Sequence, residues 1–361
     1  VHMQRKLKQV LMSLALVALA LPLHAAESFE TKLQEADRAR SSDPKKFMDL
    51  LEQLGTEANK ATPLQKQRLR YLQAYQTAAY QDQIKLAVDQ AKTLFNETKD
   101  IELKYRAGSL VANLSAIQRD FRTGLRYLEK IVPLRGKIKD KNIRHDGIGA
   151  AAMLYNEIGQ YKISLKYANE MLSDAPSPRI QCAGGHVQAE SRFRLGILDK
   201  DNTLLQRYVD QCSSINERIP ANLVRATLAR RMAEEKDVVG AIAMLTKALP
   251  EVESTRYPRL IAEIRSILAE LKLSQGDAKG AQAEAEATIA LGDAIASTQA
   301  LVTAYRVRYE IAAQQNRPVE ALGLYKLYAE ADKARLSDVK AQDLAYEISR
   351  HETQQQIKKL D

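Results

Sequence analysis

Cys182 and His186 stand four residues apart, a spacing that puts a thiol and an imidazole on one helical face, where they could give a metal ion two ligands. A metal site needs at least about three protein ligands, and no second pair with ligand spacing accompanies them. His145 and His351 lie far off along the chain. No metal is expected, and Cys212 is the better partner for Cys182. Gly147 to Ala152, "GIGAAA", has the letters of a dinucleotide-binding fingerprint, but a genuine one follows a strand. Here the preceding stretch is "RGKIKDKNIRH", Arg135 to His145, which reads as a solvated loop between helices rather than a phosphate site. The glycines are expected to allow close packing at the start of a helix. "HETQQ", from His351, lacks the second histidine of a zinc-protease helix, and "CAGGH", from Cys182, is no phosphate loop. No Ser or Cys nucleophile has a base at informative spacing. No catalytic residue and no cofactor is therefore assigned, and enzyme activity within these residues is not expected.

The chain opens on a segment to set aside before the fold is read. Arg5, Lys6 and Lys8 precede an apolar run from Val10 to Leu21, and small residues follow at Ala25 and Ala26. That order reads as a secretory signal over residues 1–26, with an uncleaved anchor as the alternative. The run is shorter than the ~20 residues of a spanning helix. Without residues 1–26 the chain carries 51 basic against 45 acidic residues, a formal charge of +6 in place of +9. The excess is mild and blocks of one sign are missing, so nucleic acid is not implied as a partner. Export would place the two cysteines in an oxidising compartment, where they are free to pair.

Period-two alternation is nearly absent, apolar residues recur at three- and four-residue spacings, and Ala and Leu dominate, which predicts an all-α protein. A longer beat overlies this pattern. "EKDVVGAIAMLTKAL" from Glu235, "QGDAKGAQAEAEATI" from Gln275 and "QNRPVEALGLYKLYA" from Gln315 align with a step of 40, a polar turn leading to Ala241, Ala281 and Ala321. The same step places Gly124 and Ser164 in that column, with a deletion of about three residues between the two series. Small residues belong where the two helices of a hairpin cross, because little beyond a Cβ fits there. The pattern predicts eight hairpins, with first helices near 29–40, 64–79, 100–118, 145–158, 180–196, 220–235, 256–274 and 296–315. A further helix is expected from about 337, capped by Ser337 with Asp338. Cys182 and Cys212 then fall nearly level at the open end of the fifth hairpin. A disulfide is expected there, with two separate buried thiols as the alternative.

On these residues the chain resembles tetratricopeptide repeats. "LYNEIGQYKISLKYANEMLSDAP" shows the turn Gly159, the aromatic Tyr161 and the closing Pro176, and "ILAELKLSQGDAKGAQAEAEATI" shows the Leu268–Ala269 pair and the Gly276–Asp277 turn. It departs in having no Trp and a period of 40 rather than ~34. The resemblance covers about residues 64–335, with a weaker hairpin at 29–60. It implies a right-handed superhelical solenoid over residues 27–336 with a concave groove lined by first helices. Projecting the repeat register puts Gln73, Gln76, Asn113, Asn156, Arg194, Arg230, Arg306 and Glu310 toward that groove, where amides and guanidinium groups could bind peptide backbone or carboxylates. Tyr155, Tyr161, Tyr167, Tyr305, Tyr325 and Tyr328 are expected in core packing with polar tips.

The order of signal, helical repeats and a polar final helix also resembles the periplasmic sensory region of bacterial membrane-bound signalling enzymes. In that family a span and an output domain follow, often a GGDEF-type diguanylate cyclase and sometimes a histidine kinase. The resemblance implies a periplasmic module that binds a protein, peptide or small ligand, and a connector helix over residues 337–361, ending "EISRHETQQQIKKLD". Ala341, Leu344 and Ile348 keep heptad spacing, but His351 and Gln355 then occupy the seam, so the connector makes a poor coiled coil alone. Any membrane link would run through a continuation beyond residue 361 or an uncleaved signal. A free periplasmic adaptor of an envelope assembly is the alternative.

Overall fold

The computed structural model describes residues 28–81, 83–199 and 201–358. Its contacts divide the chain into two compact units, residues 1–69 and 70–361. The segment expected to be a secretory signal lies outside the described residues. Among these the protein is all-α, with sixteen helices in eight consecutive pairs. The first four are α1 (Phe29–Ala39), α2 (Pro44–Glu57), α3 (Pro63–Ala79) and α4 (Ile84–Glu97). The next four are α5 (Ile101–Ile117), α6 (Phe121–Ile131), α7 (Lys141–Glu157) and α8 (Tyr161–Ser173). Then come α9 (Pro178–Arg194), α10 (Thr203–Ser214), α11 (Arg218–Glu234) and α12 (Val238–Ser254). The last are α13 (Pro258–Ser274), α14 (Ala278–Ile289), α15 (Gln299–Gln314) and α16 (Pro318–Lys358). The expected first helices are present to within a few residues, and the fold is a helical-repeat solenoid.

One turn is used six times between the two helices of a pair. Arg119, Gly159, Gly196, Lys236, Gly276 and Asn316 all have positive φ, so the step of 40 with one short interval is a repeat of left-handed residues closing first helices. At each, the next amide reaches back to a carbonyl five residues earlier, as Asp120 N–H does to Ser115 (2.9 Å) and Asp277 N–H to Lys272 (2.9 Å). At three of the six, an Asp after the left-handed residue then caps the second helix. Asp120 accepts from Thr123 N–H, Asp237 from Gly240 N–H and Asp277 from Gly280 N–H.

The small-residue column lies where the helices cross. Ala241 and Ala281 are fully buried, in clusters shared with Ala229 and Ala269 of the preceding helix. Ser164, also fully buried, donates to the Ala152 carbonyl at 2.8 Å, and Ser191 bonds to it at 3.1 Å. A Cβ on Gly124 would press on Leu154 at 3.1 Å. Gly147, from "GIGAAA", has its own reason: any Cβ there would overlap the phenol of Tyr105, whose hydroxyl donates to the Arg144 carbonyl at 2.8 Å. In the smaller unit, α1 and α2 bury Leu33, Ala36, Phe47 and Leu54, and Lys32 binds Glu57 at 2.6 Å.

Three expectations change. Residues 135–145 are not one loop: a 3-10 turn covers Val132–Lys137, and α7 begins at Lys141 because Asp140 accepts from Asn142 and Ile143 N–H. His145 is therefore buried inside a helix, 4.0 Å from Asp174, and burial pushes its imidazole down in pKa. No new helix starts at Ser337: α16 is continuous from Pro318, with 41 residues spanning about 60 Å. Neither Gly nor Pro interrupts it after Gly323, and the Asp338 carboxylate goes to side chains instead of a backbone cap. Tyr325 is exposed on α16, tilted against Tyr309 at 5.4 Å rather than sunk in a core.

Candidate functional site

Ion pairs join first helices one repeat apart within the larger unit. Arg106 of α5 holds Asp146 of α7 at 3.2 Å, Arg179 of α9 holds Glu217 ahead of α11 at 3.1 Å, and Arg230 of α11 holds Glu263 of α13 at 2.8 Å. Such pairs set how neighbouring first helices stagger along the inner face of the stack.

Toward the middle of that face the charges no longer pair off simply. Glu157, the last residue of α7, has Glu190 of α9, Arg259 and Glu263 of α13 and Arg119 of the α5–α6 turn within electrostatic reach. Helices of the fourth, fifth and seventh pairs and the turn of the third bring their charges together there. Glu157 stays open to water at its own atoms, yet the crowding around it and the charge of Glu190 push its carboxyl up, against the pull of Arg259 and Arg119. Glu190 behaves oppositely. Burial pushes it up, but His186 at 3.7 Å, then Arg194 and Arg230, hold it well below the usual carboxylate range. Arg194 sits 3.5 Å from Glu190 on the same helix. Tyr161 and Tyr257 complete the surround; burial first, and Glu157 next, push the Tyr257 phenol up to about 12. A centre with both signs of charge, phenols and a carboxyl of raised pKa can hold an extended chain by its backbone and by charged ends or side chains.

Of the residues projected toward the groove, Arg194 and Arg230 meet around Glu190. Asn156 donates to Ser191 at 3.1 Å, joining the polar column at the crossing rather than the charged centre. Arg306 and Glu310 bind each other at 2.8 Å, with Glu270 as a further partner of Arg306, on α15 and α13. Gln73 is exposed, and Gln76 and Asn113 are half-buried; none belongs to the ion pairs. The register missed Arg119, Glu157, Glu190, Arg259 and Glu263. Cys182 of α9 and Cys212 of α10 are bonded to each other, with Cα atoms 5.0 Å apart. Among the described residues no three His, Cys, Asp or Glu side chains gather as a metal site, and no helix is long and apolar enough to cross a membrane.

Helix α16 adds a contact between sequence-distant repeats. Its distal half packs on α6. Arg119 Nε donates to Asp338 at 3.0 Å, Tyr346 meets Tyr155 edge-on at 6.3 Å, and Ser349 donates to Glu129. Tyr155 is also stacked on Tyr167 at 5.9 Å. Gln342 is buried and donates to Asp338 at 2.9 Å.

No protein-family model and no curated protein matches the sequence. Solved structures with a similar fold include a Rap protein complexed with competence and sporulation factor, at a TM-score of 0.59 and 10% identity, covering 91% of this chain and 98% of that one. The apo form of the quorum sensor NprR from B. thuringiensis has a TM-score of 0.57 at 16% identity, covering 92% and 95%. NprR in complex with its cognate peptide NprX gives 0.51 at 14% identity, covering 88% and 83%. At these identities the likeness is one of fold.

Proposed function

We propose that this chain is a tetratricopeptide-type recognition module that binds a peptide or an extended protein segment at the charged centre of its groove. The observation that carries this reading is the convergence of Glu157, Glu190, Arg194, Arg230 and Arg259 from four repeats, Glu157 with a raised and Glu190 with a depressed carboxyl pKa. Two proteins of similar fold were solved with a factor or peptide bound, which supports the ligand class without supplying its identity.

The finer reading follows from the resemblance in segment order. The module acts in the periplasm, and α16 passes the bound state to a membrane-bound output domain of the diguanylate cyclase type encoded beyond residue 361. Reading the coding sequence downstream tests that part: an open frame with an apolar span supports it, and an immediate stop codon favours the free adaptor. The recognition part is tested by selecting binders from a synthetic random decapeptide library. Wild-type protein is expected to enrich a defined sequence class, and a folded Glu190→Gln, Arg230→Ala variant to lose that enrichment. Equal enrichment by both proteins would remove the groove centre as the site.

A further inference from the structure

Arg119 belongs to two neighbourhoods. It stands in the left-handed position of the α5–α6 turn, where three of its five counterparts are glycine. Its guanidinium binds Asp338 of α16. It also lies within electrostatic reach of Glu157 and Arg259, the carboxylate and guanidinium of the groove centre. Arg194 and Arg230 of that centre have carboxylate partners in Glu190 and Glu263. The Arg119–Asp338 pair is mostly shielded from water, with 21% and 19% of the two side chains exposed, so losing one member leaves a charge in a site that solvates it poorly. Among the described residues, the rest of the distal α16 contact includes one tyrosine pair, one hydroxyl–carboxylate bond and the buried Gln342. Elsewhere on its distal half, Leu336 and Leu344 are exposed. The Arg119–Asp338 pair is thus one of the points that clasp the distal helix, and it is shared with the groove.

We propose that Arg119 and Arg259 form an anion seat for a carboxylate of the bound peptide, and that filling this seat draws Arg119 away from Asp338 and releases the distal half of α16. The ligand class is an acidic peptide, and the regulated element is the clasp. The ligand half rests on the groove reading above; the coupling between groove charge and clasp does not, because it operates in the empty protein. Glu157 attracts Arg119 toward the groove, in competition with Asp338. Arg259 repels Arg119 toward Asp338. Substituting these two residues must therefore change the clasp with opposite signs, which general loosening of the fold cannot do.

The test is native-state amide exchange of residues 338–350 in the full chain. A polar helical segment released from its contacts frays, so its amides exchange faster. Glu157→Gln is expected to slow exchange about threefold, and Arg259→Gln and Asp338→Asn each to speed it at least about threefold, the scale of a partly screened charge interaction. Exchange that moves in the same direction in Glu157→Gln and Arg259→Gln, or in neither, overturns the coupling. Hexaglutamate is then titrated into wild type by calorimetry, with hexalysine as the opposite-charge control. The expected result is hexaglutamate binding that is lost in Arg259→Gln and accompanied by faster exchange at 338–350. Hexaglutamate that does not bind, or binds without changing that exchange, overturns the anion seat. Decapeptide selection at the groove would stand in either case, so failure of the clasp and failure of the recognition reading are distinct outcomes.

Discussion

The helix crossings and the centre of the groove are built from the same helices, yet one repeats and the other does not. At the crossings, Ala241 and Ala281 occupy equivalent places with no exposure, and Ser164 fills the same place with its hydroxyl satisfied by the Ala152 carbonyl. Each crossing answers one packing demand, so a small residue (Gly, Ser or Ala) serves at each repeat of the column. In the groove, Glu157, Glu190, Arg230 and Arg259 answer to one another across repeats, and the two carboxyl pKa values, of Glu157 and Glu190, shift in opposite directions. The crossings make a stack that any superhelix of this kind could share. The departures from repetition are where an individual ligand can be recognised.

That contrast can be broken on either side, and the scaffold side gives the larger effects. The Cys182–Cys212 bond closes a separation of 30 residues at the open end of the α9–α10 pair. By the loop-closure argument its removal costs about 3–4 kcal/mol, read as a drop in the urea midpoint of a Cys182→Ala, Cys212→Ala variant. An unchanged midpoint would mean the bridge contributes nothing to the scaffold. Ala241→Leu forces extra methylene groups into a fully buried crossing and should cost about 2–3 kcal/mol in the same assay. A cost near zero would show that the crossing is looser than its burial indicates.

On the groove side the order reverses, with small effects on stability and large ones on binding. Arg230→Ala breaks a partly exposed pair with Glu263 and should cost at most about 1 kcal/mol, while peptide affinity measured by calorimetry falls at least about tenfold. The smallest effects are in pH dependence. The Glu190 carboxyl is depressed in the folded protein, so its stabilisation is complete above the ordinary carboxylate range and is lost as pH falls toward its folded value. Glu157 is raised, so the stabilisation it gives is present at low pH and lost as pH rises from the ordinary value through the folded one. Glu190→Gln should therefore flatten the acid limb of the stability profile, and Glu157→Gln the fall just above it. Profiles that superimpose on wild type would remove the electrostatic description of the centre.

The crossings were legible in the sequence because packing repeats: the column of Gly124, Ser164, Ala241, Ala281 and Ala321 located the hairpins, and Cys182 with Cys212 followed from their geometry. The groove was legible only in part. Arg194 and Arg230 lay in register, but the partner of Arg230 sits about two helical turns short of the repeat step, Glu263 being 33 residues after it. A search for opposite charges at that shorter spacing would have found Glu263. Nothing in the pattern could have found Arg119, which stands in the left-handed position of a turn and comes within reach of the groove charges only through the fold. Helix α16 was misread for a related reason. Ser337 and Asp338 have the letters of a cap, but Asp338 is held by Arg119, 219 residues away in sequence, and a local rule cannot weigh so distant a partner.

The central claim is that recognition happens at the non-repeating charges. The direct measurement is photo-crosslinking, with the decapeptide selected by wild-type protein carrying a benzophenone at each end, and the crosslinked residues mapped by mass spectrometry. The account predicts crosslinks on α7, α9, α11 and α13 close to Glu157, Glu190, Arg230 and Arg259, competed by the unlabelled peptide. Competed crosslinks confined to the exposed residues of α16, such as Val319 and Leu322, would contradict it.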